Sequence, residues 1–135
     1  MSFSEQISPL IGRLVLGWFY LSAAWDAARH WTASVELMAM KGVPVPHALL
    51  ALALMAMILG GLALVLGYHT RHGAMILFGF TVIVTVTMHN FWGLQHGVAR
   101  SADYALFARN VAISGALLFL VGMGPGPFAF DNRLH

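Results

Sequence analysis

Four long apolar runs dominate this chain, and they decide what it can dissolve in. They extend from about Pro9 to Ala28, Pro46 to Leu66, His72 to Trp92 and Tyr104 to Met123. Each is close to the ~20 residues an α-helix needs to cross a hydrocarbon core. Between them the chain has too few charges to coat a soluble fold: 9% of residues are charged, where a soluble domain carries about 25%. Lipid must therefore be the solvent for much of the surface. None of the runs shows the strict alternation of a membrane-barrel strand. The expectation is an all-α, four-transmembrane-helix bundle, forming a single integral membrane domain over residues 1–135.

The punctuation between the runs supports this reading. Ser8 is a candidate cap for the first helix, with Pro9 suited to its first turn, and Pro44 and Pro46 lead into the second. Gly67 ends the second run, and Gly124-Pro125-Gly126-Pro127 stop the fourth. The short stretch from Gly67 to Arg71 makes helices two and three antiparallel neighbours. The connection 29–45 is longer and mixes Trp31, Val35, Leu37, Met38 and Met40 with polar residues, which predicts a short helix lying in the interface. The first run could be mistaken for a signal peptide, since Ser22-Ala23-Ala24 follow Leu21. However, Glu5 offsets Arg13 and the start is not basic, so it is read as a retained helix.

With four spans, both termini and the short turn share one side of the membrane, and the two long connections share the other. Basic residues choose the orientation only weakly. The termini are placed in the cytoplasm. Small residues fit close helix contact: Ala56 with Gly60, Ala112 with Ala116, and Gly12, Gly17, Gly61, Gly79 and Gly115. The formal charge of +2 includes no basic stripe, which argues against nucleic acid as a partner. With no cysteine, disulfides, thiol redox chemistry and thiolate metal sites are excluded.

Polar residues within the spans are the candidates for function, because ionisable groups at membrane depth are costly and are usually kept for a purpose. They are Asp26, His89, Asn90, Arg109 and Asn110, all towards the long-loop side. Helical spacing places Thr81, Thr85, His89, Trp92 and (if the helix continues) His96 on one face of the third helix. Trp18, Ser22, Asp26 and Arg29 share a face of the first. Asn110 and Ser114 pair on the fourth, beside Arg109. Three such stripes predict a shared pocket opening to the long-loop side, lined by His89, Asn90, Trp92, Arg109, Asn110 and Asp26. An imidazole there could bind a quinone carbonyl and pass protons, and Arg109 could stabilise an anionic head group.

A plainer reading stands beside it. His89 could hydrogen-bond a neighbouring helix, Asp26 could neutralise Arg109 or Arg29, and Trp25, Trp31, Trp92 and Tyr104 could form an interfacial belt. His30, His47 and His96 lie near the surface, where solvated histidines are common. Bis-histidine haem needs a second histidine at the depth of His89, and none exists. Copper(I) could use Met38, Met40, Met88, His89 and His96, but methionine is ordinary core filler. No metal site is expected.

The motifs also carry a family resemblance. Gly12-Arg13-Leu14, Phe19-Tyr20-Leu21-Ser22-Ala23, Lys41-Gly42-Val43-Pro44 and Gly60-Gly61-Leu62-Ala63-Leu64 occur in order. Gly67, Thr70-Arg71, Ala74, His89-Asn90-Phe91-Trp92, Arg109-Asn110, Gly115, Gly124-Pro125-Gly126 and Asp131 follow. This pattern resembles the DoxX family of small four-helix membrane proteins over nearly the whole chain. Two departures stand out: Met57 where the family often has glutamate, and Arg109 where it often has lysine.

Relatives include subunits of an archaeal thiosulfate:quinone oxidoreductase. The resemblance thus implies a membrane redox context in a prokaryotic cell (inner) membrane, without showing that this chain catalyses anything alone. The expected function is an integral subunit of a quinone-linked redox system. It would bind quinone, or anchor a redox partner, through the face made by loops 29–45 and 93–103, as part of a complex or a homo-oligomer. The alternative is a non-catalytic membrane anchor or assembly factor for a partner complex.

Overall fold

A computed structural model describes residues 2–88 and 98–129. The chain is all-α: α1 (Phe3–Arg29), α2 (Trp31–Met40), α3 (Pro46–Leu66), α4 (Thr70–Met88) and α5 (Val98–Met123). Four of these, α1, α3, α4 and α5, are long and apolar enough to cross a membrane. They form the four-helix bundle expected from the apolar runs, and α2 is the short helix expected in the first long connection. Most of their large apolar side chains face outward, among them Ile11, Val15, Leu52, Leu59, Ile83 and Phe119. In water this surface would aggregate; against acyl chains it is the matched solvent.

α1 begins earlier than the apolar pattern suggests. Ser2, not Ser8, is its cap: the Ser2 hydroxyl accepts from the Glu5 N–H at 3.3 Å, and the Glu5 carboxylate accepts from the Ser2 N–H at 3.3 Å. This reciprocal box satisfies two otherwise orphaned amides and carries the helix out beyond its apolar length. Pro9 consequently lies inside the helix. α3 starts at Pro46, as its ring geometry favours, and stops at Gly67 in the left-handed conformation (φ 70°), whose N–H returns to the Ala63 carbonyl at 2.9 Å.

α1 packs on α3, α3 on α4, and α4 on α5. In lipid no hydrophobic force drives helices together, so close backbone approach must supply the contact. At Gly17 an added Cβ would overlap Val65 Cγ2 and lie 3.0 Å from the Gly61 carbonyl oxygen; at Gly61 it would lie 2.9 Å from Leu21 Cγ. At Gly60 it would meet Leu77 at 2.5 Å, and at Gly73 the Ala63 Cβ at 2.5 Å. These glycines set the α1–α3 and α3–α4 distances. Gly12, Gly79 and Gly115, grouped with them by sequence, face open space, and Ala112 and Ala116 lie on the outer surface. The core they enclose holds Tyr20, Ala24, Met57, Leu64, Ala74, Leu77 and Leu117.

The chain after α5 folds back over the terminal end of the bundle. Arg13, 1% exposed, donates from Nη1 to the Leu64 carbonyl at 3.1 Å and from Nη2 to the Phe128 carbonyl. A Cβ at Gly67 would collide with Arg13 Nη1, and one at Gly126 would lie 2.6 Å from Pro9 Cβ. One guanidinium therefore ties the first half of α1 to the end of α3 and to the segment beyond α5. The N-terminal end of α1, the α3–α4 turn and the chain after α5 lie at one end, as four spans require.

Candidate functional site

The face of α1 that enters the bundle is Arg13, Gly17, Tyr20 and Ala24, spaced by four, three and four residues. Gly17 brings this face against α3, and that approach carries Tyr20 inward to 2% exposure. Its phenol Oη meets the Thr81 hydroxyl of α4 at 2.5 Å. Thr85, one turn further along α4, donates its own hydroxyl to the Thr81 carbonyl at 2.6 Å. From α5 comes Asn110, 6% exposed, whose carbonyl oxygen receives a hydrogen bond from Ser114 Oγ at 2.8 Å.

Tyr20, Thr81 and Asn110 wall a cavity of about 210 Å³, lined also by Phe19, Ala23, Met57, Phe80, Val84 and Arg109. All four spanning helices contribute. An apolar cavity of about 150 Å³ accepts a benzene ring, so this one has room for a single-ring head group and not for a drug-sized ligand of ~300 Å³ or more. At 1.5 Å of rise per residue, Thr81 lies about 10 Å from the Met88 end of α4 and Asn110 about 9 Å inside Tyr104, roughly a third of the way into a ~30 Å core.

Arg109 stands at the edge of the cavity. Its Nε and Nη2 donate to Asn110 Oδ1 at 3.3 and 3.2 Å, and its guanidinium carbon sits 5.3 Å from the centre of the Phe19 ring. The ring face and the amide oxygen offset part of its charge. No carboxylate of a described residue pairs with it; Asp26 lies against His30 instead. An arginine inside a span costs about 2.5–3.5 kcal/mol on insertion scales, which partial neutralisation lowers without removing.

The remaining hydrogen-bonding capacity leans towards donation. With Oδ1 facing a cation, the Asn110 amide presents its NH2 elsewhere, and that group bonds no described residue. Tyr20 and Thr81 together carry two hydroxyl protons and use one in their mutual bond, leaving one to donate. Arg109 can only donate. Beside the hydroxyl lone pairs of Tyr20 and Thr81, the polar wall is therefore rich in donors, within a cavity that is otherwise aromatic and aliphatic.

The structure brings Asn110 and Arg109 to this cavity, together with Thr81 of the α4 stripe. His89, Asn90 and Trp92 lie outside the described residues. Asp26 is not among the lining groups: its side chain is 78% exposed and sits 3.4 Å from His30 Nδ1, one turn away on the same helix. Its expected stripe partners Trp18, Ser22 and Arg29 face outward with it. The reason is the Gly17 contact with α3, which fixes the opposite choice of face. Neither expected partner of Asp26, Arg29 or Arg109, is the one it takes. Sequence reasoning missed Tyr20 and Phe19 as site residues, although Tyr20 follows Gly17 by three positions and so shares its inward face. Met57, the departure from the common glutamate, also lines the cavity. On the long-loop side, Trp31 Nε1 reaches His47 Nδ1 at 3.4 Å and ties α2 to the start of α3. Among the described residues no group of three or more histidine or acidic side chains could hold a metal ion.

Four apolar helices around a partly polar internal cavity define a small integral membrane protein. The pattern of the DoxX family matches residues 8–90, more than half of the chain, and the chain belongs to that family. It is 28% identical over 131 residues to inner membrane protein YqjF of Escherichia coli (strain K12), covering 97% of this chain and 95% of that one. It is likewise 28% identical over 124 residues to inner membrane protein YphA of the same organism, covering 92% and 88%. No solved structure matches it. The protein is thus an integral membrane protein of the type found in the inner membrane.

Proposed function

We propose that this protein is an integral subunit of a quinone-linked redox system and that the cavity receives the quinone head. The observation that carries this reading is the donor-rich polar wall. A quinone ring presents carbonyl oxygens, which only accept, on an apolar disc of the size the cavity admits. The Asn110 amide and the Arg109 guanidinium would hold one carbonyl, with the Tyr20–Thr81 hydroxyl pair offering a further donor from the other side. Phe19, Phe80 and Met57 supply apolar ring contact. The bound quinone would supply the two-electron acceptor chemistry, and this chain's residues would bind it, orient it and exclude water. His89, beyond the described part of α4, retains its proposed role of contacting a carbonyl and relaying a proton. Asp26 takes no part.

Membership of DoxX, with its redox-associated relatives, supports the same context. Electrons would come from a partner protein docked on the long-loop face. That face has its own anchor, because α2 is clipped to α3 through Trp31 and His47 while leaving Leu37 and Met40 exposed. The same feature favours the second reading, a non-catalytic anchor for a partner complex. In that case Trp31→Ala would release the partner from pull-downs and no quinone would be found.

The test is to purify the protein in mild detergent, extract it with organic solvent and measure lipid-soluble quinone per chain. Near-stoichiometric quinone in the wild type, lost in folded Asn110→Leu and retained in Asp26→Asn, supports the proposal. Quinone absent from the wild type, or unchanged by Asn110→Leu, removes it. His89→Ala tests the histidine separately.

A further inference from the structure

We propose that the cavity is entered sideways from the lipid, through the seam between α1 and α5, by amphiphiles whose head carries an oxygen anion. Arg109 is the residue that selects them. The inference rests on reading the cavity as a ligand site, and not on that ligand being a quinone.

Three observations combine. The bundle is closed by close packing along α1–α3, α3–α4 and α4–α5, whereas α1 and α5 have no comparable packing among the described residues. At the level of the cavity the Arg109 guanidinium of α5 lies over the Phe19 ring of α1, 5.3 Å from its centre. Arg109 is the most exposed of the lining residues: Tyr20, Met57, Thr81 and Asn110 are buried, and Phe19, Ala23, Phe80 and Val84 are half-buried. Because these residues sit well inside the spans, what lies outside the seam is acyl chain and not water.

The charge supplies the ligand class. Arg109 donates to a neutral amide and to a ring face, and no described carboxylate neutralises it. In a low dielectric an anionic oxygen is its best remaining partner, and the guanidinium fork matches a carboxylate or phosphate. An acyl tail would stay in the lipid while the head turns inward past Phe19. A fatty carboxylate and the phosphate of an anionic phospholipid share this chemistry.

The experiment uses the full chain in neutral phosphatidylcholine vesicles with spin-labelled stearate, its methyl ester, and spin-labelled phosphatidic acid. Electron paramagnetic resonance reads the motionally restricted fraction of each. The result expected is a several-fold preference for stearate over its ester at alkaline pH. It should fall to parity in Arg109→Gln and be removed by Ala23→Phe, which fills the cavity, but kept by Ile83→Phe on the outer face of α4. Circular dichroism confirms that each variant is folded. Comparing stearate with phosphatidic acid separates a carboxylate source from a phosphate one.

A preference that survives Arg109→Gln, or that Ala23→Phe leaves intact, overturns the proposal. So does the absence of any preference in the wild type. For the route, Ala23→Cys carrying a nitroxide, in a chain without other cysteines, should collide more with membrane-dissolved oxygen than with an aqueous nickel chelate. The reverse order would show entry from water. Loss of quinone binding with the anion preference intact would refute the quinone reading alone; quinone bound without any anion preference would refute this one alone.

Discussion

Two glycines on α1, five residues apart, should respond to the same substitution with opposite signs. A Cβ at Gly17 would overlap Val65 Cγ2, which rotation of the valine could relieve, and would lie 3.0 Å from the Gly61 carbonyl oxygen, which belongs to the backbone. Ordinary contact begins near 3.4 Å, so α1 must back away from α3 by a few tenths of an ångström along that contact. Overpacking of this kind costs about 1–3 kcal/mol. Gly12 has nothing within 4 Å of its added Cβ, and alanine there should stabilise the helix by about 0.5–1 kcal/mol through lower backbone entropy. Far-UV circular dichroism during SDS titration of the detergent-solubilised protein measures both. Gly17→Ala should lower the SDS midpoint and Gly12→Ala should leave or raise it. The same contrast is expected on α4 between Gly73, 2.5 Å from the Ala63 Cβ, and Gly79, which is open. Equal responses at Gly12 and Gly17 would refute the packing of α1 on α3.

Other outcomes follow from single contacts. Arg13→Met should destabilise the bundle by roughly 3 kcal/mol, because two charge-assisted bonds to the Leu64 and Phe128 carbonyls are lost at a buried site; protease should then cut the chain after Gly124 more readily, and an unchanged cutting rate would dismiss the tether. A double-mutant cycle on Tyr20→Phe and Thr81→Val should give a coupling of about 0.5–1.5 kcal/mol, with additivity counting against their hydrogen bond. For orientation, Ser4→Cys and Thr32→Cys lie exposed at opposite ends of the bundle. A membrane-impermeant maleimide should label Thr32→Cys in intact cells and Ser4→Cys only in inverted vesicles, and the reverse pattern would place the termini outside.

The helices were legible because membrane length and apolar content specify them almost without regard to packing. α2 was legible as a mixed apolar and polar stretch between two spans. The choice of inward face on α1 was not. Polarity pointed to Trp18, Ser22, Asp26 and Arg29, a stripe that serves at an interface or against lipid, while the buried face is marked by Gly17. In water polarity tells inside from outside; in lipid, steric fit does much of that work. Gly17 is small, but so are Gly12, Gly79 and Gly115, and only the helix arrangement separates them. Tyr20 escaped for the same reason, since an aromatic residue on a spanning helix is ordinarily core or belt. The burial of Arg13 was not legible either, because it depends on the chain after α5 returning over the bundle end, a contact between distant parts of the sequence.

The central claim is that the cavity among Tyr20, Thr81, Asn110 and Arg109 is where this protein holds its ligand. A density map of the protein solubilised with its native lipids tests it most directly. Ring-sized density is expected in that cavity, with an oxygen within hydrogen-bonding distance of the Asn110 amide or the Arg109 guanidinium and a tail leaving between α1 and α5. A cavity collapsed by its own side chains, or bound quinone located elsewhere on the protein, would contradict it.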